Sequence, residues 1–102
     1  MFAGMVLKGK QKQHLRGLGH ALDSVVQVGK NGVTDALASA LDAALATHEL
    51  VKIRIHPDGP DDRDETAAAL AAQVHAEVVQ ILGRTILLYR KHPTKTVVTL
   101  PR

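Results

Sequence analysis

The chain has 102 residues, 45% of them apolar and 23% charged, with 13 Lys and Arg against 10 Asp and Glu for a formal charge of +3. That is one domain's length with a core-forming composition, too apolar for a disordered chain and too short to enclose a deep active site. There is no cysteine, no run of the roughly 18 apolar residues a membrane span requires, and no aromatic besides Phe2 and Tyr89, which excludes disulfides, cysteine-based zinc sites, transmembrane helices and aromatic base-stacking platforms.

Residues 1–7 are apolar but have neither a basic leader nor a cleavage site, so they read as a poorly ordered lead-in to a single domain over residues 8–102, not as a signal peptide. Charge is segregated along the chain. Residues 1–34 carry five basic side chains and one acid, residues 35–66 three and eight, and residues 67–102 five and one. If both basic ends fold onto one side, they form a patch that the overall charge conceals.

The first predicted helix runs from residue 10 to about 20, with Leu15, Leu18 and Leu22 at helical spacing and Lys12 and Arg16 sharing a face. Gly17 and Gly19 weaken its last turn and mark a stop. Residues 24–28, Ser-Val-Val-Gln-Val, read as a short buried strand that ends at Gly29-Lys30-Asn31-Gly32. A long helix follows over residues 33–48, with Val33, Leu37, Leu41 and Leu45 on one face, Thr34 as its N-cap and Asp35 at the positive end of its dipole.

Residues 50–55 alternate apolar and basic, a strand that points Lys52 and Arg54 to one face. Residues 56–60, with two prolines and a glycine, break it. Residues 61–76 form an alanine-rich helix with Ala67, Leu70 and Val74 inward. Residues 78–82 and 85–89, separated by Gly83-Arg84, form an antiparallel hairpin, and residues 96–100 offer an edge strand or a surface segment. The order helix-strand-helix-strand-helix-strand-strand gives an α/β fold: a two-layer sandwich with the helices against one face of a mixed sheet.

The segment Gly29-Lys30-Asn31-Gly32 lies between a strand and a helix start. Glycines let a backbone approach a ligand closely, helix-start N–H groups attract phosphate oxygens, and Lys30 adds charge at the tip. Gly-x-x-Gly loops of KH modules hold a nucleic-acid backbone in this way. Taken alone, the four residues also satisfy an ordinary turn with positive φ. The loop lacks the length and the Lys-Ser/Thr ending of a Walker A motif, which argues against nucleoside triphosphates. Lys10, Lys12 and Arg16, with His14 when protonated, supply a basic helix upstream of it.

The six histidines show no helical i, i+4 pair and no zinc-protease pattern. Asp58, Asp61, Asp62, Asp64 and Glu65 do not fit an EF-hand, and acids at a helix start have a structural role. Ser24 and Ser39 sit in no nucleophile elbow. No catalytic residue, metal site or cofactor is expected.

Four collinear blocks carry a family resemblance: residues 9–18 (GKQKQHLRGL), 25–34 (VVQVGKNGVT), 48–53 (HELVKI) and 80–90 (QILGRTILLYR), continued by the terminal Leu100-Pro101-Arg102. Together they resemble the bacterial YhbY-like stand-alone CRM domains over nearly the whole chain from about residue 8. The resemblance implies RNA binding and association with precursors of the large ribosomal subunit; related plant domains serve organellar intron splicing. It also implies a fold similar to the C-terminal domain of bacterial translation initiation factor three.

On this resemblance the family's Gly-x-x-Gly loop maps onto Gly29, Lys30, Asn31 and Gly32, and its basic first helix onto Lys10, Lys12 and Arg16. The chain departs from the pattern over residues 57–64 and in the alanine-rich third helix. The expectation is a cytoplasmic, non-enzymatic, monomeric protein whose partner is RNA, in particular large-subunit ribosomal RNA or its precursor particle. The alternative is a protein-interaction module docking on ribosomal proteins through residues 61–65 and a strand edge. A small hydrolase finds no supporting residue set.

Overall fold

The computed structural model describes residues 7–92, in the order α1 (Gly9–His20), β1 (Ser24–Val28), α2 (Asp35–His48), β2 (Leu50–Ile55), α3 (Arg63–Val74), β3 (Glu77–Leu82) and β4 (Thr85–Tyr89). The expected lead-in at residues 1–6 and the C-terminal segment at residues 96–100 lie outside the described residues. Leu7, placed at the end of that lead-in, is buried.

The four strands form one mixed sheet in the order β1-β2-β4-β3. β1 and β2 pair in parallel, and β4 lies antiparallel between β2 and β3. The α/β class and the mixed sheet are as the sequence implied. The alternation of β2 and β4 explains the layering, because successive side chains of a strand point to opposite faces. Val51, Ile53 and Ile55 of β2 join Ile86 and Leu88 of β4, Leu41 and Leu45 of α2, and Ala67, Leu70 and Val74 of α3 in one buried cluster. Leu50, Leu87 and Tyr89 point the other way and join Leu7, Leu15 and Val79 in a second.

The two crossover helices, α2 and α3, share one face of the sheet as expected, and the first helix, α1, covers part of the other. The reason is visible at Gly19, where an added Cβ would lie 2.6 Å from Leu87 Cδ2. Gly19 is a close-packing position that lets α1 lie against β4, and it does not stop the helix, which runs through both glycines to His20. Lys52 of β2 helps to end it, its Nζ donating to the carbonyl oxygens of Gly19 (3.3 Å) and Leu22 (3.4 Å). A cation at the carbonyl end of a helix is favoured by the dipole.

β1 is also corrected, from a buried strand to a sheet edge: Val26 and Val28 are buried, whereas Val25 is 57% exposed. The remaining helix ends follow their residues. Thr34 Oγ accepts the Leu37 N–H at 3.1 Å, and Asp62 Oδ1 accepts the Glu65 N–H at 2.9 Å, each satisfying an N-terminal donor. At their C-termini, Glu49 (φ 62) and His75 (φ 56) take left-handed backbone conformations without being glycine. Arg90 ties the middle of α2 to the C-terminal end of α3, donating through Nη1 to Asp42 Oδ1 (2.6 Å) and the Val74 carbonyl (2.8 Å).

Candidate nucleic-acid interface

The Gly-x-x-Gly loop is a closed turn at the end of β1, with the Gly32 N–H donating to the Gly29 carbonyl at 3.0 Å. Its two glycines differ. Gly32 has φ +70, so the turn itself requires a residue free of a Cβ penalty. Gly29 has no positive φ, and nothing lies within 4 Å of where its Cβ would be. The fold tolerates a side chain at Gly29, and the space above its backbone is open to a partner.

α2 starts directly after the loop. Thr34 takes the Leu37 N–H, and no group among the described residues accepts the amides of Asp35 and Ala36. Lys30 and Asn31 are exposed, and Lys30 has no ion-pair partner among the described residues. The loop rests on residues 56–60. The His56 N–H donates to the Val28 carbonyl at 2.9 Å, and a Cβ on Gly59 would lie 3.0 Å from that same oxygen. Gly59 is thus a glycine fixed by close backbone packing beneath the loop, a role its place in a proline-rich break did not reveal.

α1 presents Lys10, His14 and Arg16 as exposed side chains and Lys12 as half-buried. Arg16 Nε reaches the Val79 carbonyl on β3 at 3.4 Å. The last turn of α1 lies over Lys52 and Leu87, while Leu7 and Leu15 cluster with Leu50 and Tyr89. Lys10 and Lys12 thus lie toward the Leu50 end of β2, and the Gly-x-x-Gly loop lies beyond the Ile55 end. β2 separates them by about 17 Å, at ~3.3 Å per residue. The structure brings Gly29, Lys30, Asn31 and Gly32 together and brings Lys10, Lys12, His14 and Arg16 together, but as two groups.

Other sequence features have structural partners. His56 lies 3.7 Å from Asp58, and no group of three His, Asp or Glu among the described residues is arranged to hold a metal ion. No described helix is long and apolar enough to cross a membrane. Burial, and secondarily the carboxylate of Glu49, pushes the Tyr89 phenol above its ordinary pKa, so the only tyrosine is a neutral core residue. It is not a platform for bases.

A mixed sheet with a glycine turn opening a helix, and basic side chains on a separate helix, defines a small α/β domain that offers backbone and positive charge to a ligand. The chain belongs to the CRS1 / YhbY (CRM) domain family, which it matches over residues 7–90. It is 35% identical over 96 residues to the probable RNA-binding protein YqeI of Bacillus subtilis, covering 94% of this chain and all of that one. It is 37% identical over 89 residues to the probable RNA-binding protein PA4753 of Pseudomonas aeruginosa, covering 87% of this chain and 86% of that one. The solution structure of the hypothetical protein SAV1595 of Staphylococcus aureus, proposed to bind RNA, superimposes with a TM-score of 0.81 at 34% identity, covering 94% of this chain and all of that one.

Proposed function

We propose that this chain is a non-enzymatic RNA-binding domain that holds the sugar-phosphate backbone of large-subunit ribosomal RNA, or of its precursor particle, during subunit assembly. The observation that carries the reading is Gly29: neither its backbone conformation nor its surroundings require a glycine, yet it stands beside Lys30, which has no ion-pair partner among the described residues, and the open start of α2. A phosphate approaching there meets backbone N–H groups, the positive end of a helix dipole and an ammonium group. Lys10, Lys12, His14 and Arg16 give a second point of phosphate contact. The RNA-binding descriptions of the relatives support the partner class. With no exposed aromatic among the described residues, recognition rests on backbone and shape.

The reading is tested by titrating a labelled large-subunit ribosomal RNA fragment with Lys30→Glu and with a Lys10→Glu/Lys12→Glu double variant over a range of salt. Each lost phosphate contact lowers the slope of log K against log salt by about 0.7–0.9. Undiminished binding by both variants refutes the mechanism. Crosslinking in cells followed by RNA sequencing tests the target, and crosslinks that leave large-subunit RNA at background refute that part. Association with ribosomal proteins that survives nuclease and depends on Asp61 and Asp64 would favour a protein-docking module.

A further inference from the structure

The face of the sheet that carries α1 is only half covered. Between the end of α1 and the Gly-x-x-Gly loop lies an open groove of about 830 Å³, whose lining includes Asp23, Gln27, Lys52, Arg54, Arg84 and Thr85. The strand register orders this surface. Gln27 of β1 pairs with Arg54 of β2, Arg54 pairs with Thr85 of β4, and Thr85 pairs with Leu82 of β3, forming one row across the sheet. Strands are spaced about 4.8 Å apart, so Gln27 and Thr85 flank Arg54 within about 10 Å, and Gln27 lies two residues before Gly29.

Of the cations here, Lys52 and Arg84 are held by carbonyl oxygens, and none is ion-paired to a carboxylate among the described residues. Arg84 donates through Nε to the Ile55 carbonyl (3.0 Å) and through Nη2 to the His56 carbonyl (2.6 Å), which leaves three of its five N–H groups unused. Lys52 is held by the carbonyls at the end of α1, and Arg54 is exposed with no hydrogen-bond or ion-pair partner among the described residues. Asp23 is the only acid in the groove. The residues outside the described range carry no Asp or Glu.

The opposite side of the loop has the reverse charge. Pro60 Cγ lies 3.6 Å from where a Gly32 Cβ would be, which places Asp61, Asp62 and Asp64 at the start of α3 beside the loop, with Asp35 at the start of α2. A polyanion that leaves the loop is repelled toward the acids at the start of α3 and attracted on the α1 side.

We infer that an RNA strand held at the Gly-x-x-Gly loop continues across the row Gln27, Arg54 and Thr85, with Arg54 and Arg84 as further phosphate contacts. The groove joins the loop to the basic face of α1 in one footprint. This rests on the loop reading above and assigns the path the strand takes from it. A protein segment is a poorer occupant, because Lys52, Arg54 and Arg84 give the groove three cations against the single acid Asp23. The groove's apolar lining residues, Leu22, Val25 and Val26, lie in and just before β1.

The test uses the full chain and a labelled RNA hairpin carrying a single-stranded tail, with Arg54→Gln, Arg54→Lys and Lys30→Glu compared across salt. Arg54 makes no hydrogen bond or ion pair among the described residues, so its replacement leaves the fold intact, as a thermal melt checks. The expected result is about fivefold weaker binding and a salt slope lower by about 0.7–0.9 for Arg54→Gln, recovery of the slope in Arg54→Lys, and movement of the Gln27 and Thr85 amide resonances when RNA is added. If Lys30→Glu weakens binding while Arg54→Gln leaves affinity and slope unchanged, the groove is overturned and the loop stands. If neither variant changes binding, both are overturned.

Discussion

Gly29→Ala separates a glycine kept for a partner from one kept for the fold. The added methyl meets nothing within 4 Å, and the backbone is not in the left-handed region, so the folded state bears no strain. The unfolded chain loses freedom, which stabilises the protein by roughly 0.4–1 kcal/mol, or about 2–6 °C in Tm for a domain of this size. RNA binding moves the other way. A methyl above the open backbone holds phosphate off the amides, removing one or two charge-assisted hydrogen bonds of roughly 1.5–3 kcal/mol each, which is tenfold in affinity or more. Gly32→Ala is the control: at φ +70 it costs about 1 kcal/mol in stability whether or not RNA is present. Urea denaturation and RNA titration of both variants supply the two readouts. Wild-type RNA affinity in a stably folded Gly29→Ala variant would refute the argument that phosphate lies against this backbone.

The two helical glycines of α1 should respond oppositely. Gly17→Ala meets open space and should stabilise by about 0.8–1 kcal/mol, whereas Gly19→Ala forces Leu87 Cδ2 to move from 2.6 Å, an overpacking cost of about 1–3 kcal/mol that outweighs the helix gain; equal urea midpoints would contradict the packing of α1 on β4. His75→Gly should raise stability by about 0.5–1 kcal/mol, since His75 is exposed at φ 56 and its backbone strain is relieved, and a lower urea midpoint would show that the imidazole has a role. Tyr89, the only tyrosine, should titrate above 10.0 when followed by near-ultraviolet absorbance, because burial and then Glu49 disfavour the phenolate. The folded state therefore holds this proton more tightly than the unfolded state does. Its contribution to stability is complete below pH 10.0 and is lost as pH rises through the folded value, and Tyr89→Phe should lessen that alkaline loss.

Local chemistry was legible where one residue type at one position decides the outcome. The Thr34 cap, the left-handed Gly83 in the β3-β4 hairpin and the inward Ala67, Leu70 and Val74 follow from spacing and propensity alone. Properties set by non-local packing were not legible. Gly19 looks like a helix stop in sequence because nothing nearby reveals that Leu87, far along the chain, will lie against it. The exposure of β1 depends on strand order, which an apolar run such as Val25-Val26 does not encode. Lys52 and Arg54 were correctly placed on one strand face. That this face is the half-open one depends on where α1 docks.

The same contrast changes the meaning of the charge pattern. Along the chain, the basic ends flank an acidic middle, and a single patch made from the two ends is the natural expectation. In the fold, the basic helix α1 and the loop at Lys30 are separated by the length of β2, and two of the cations lying between them, Lys52 and Arg54, come from the acidic middle segment. The alternation of β2 sorts that segment, sending its cations to the α1 face while Val51, Ile53 and Ile55 face α2 and α3. Five of the eight acids of the same segment, Asp35, Asp61, Asp62, Asp64 and Glu65, gather at the starts of α2 and α3, where helix dipoles favour them. Segment charge therefore predicts neither the sign nor the continuity of the surface. The pleat of one strand and the direction of two helices decide both, and they leave a polyanion at the loop only one face of the sheet to follow.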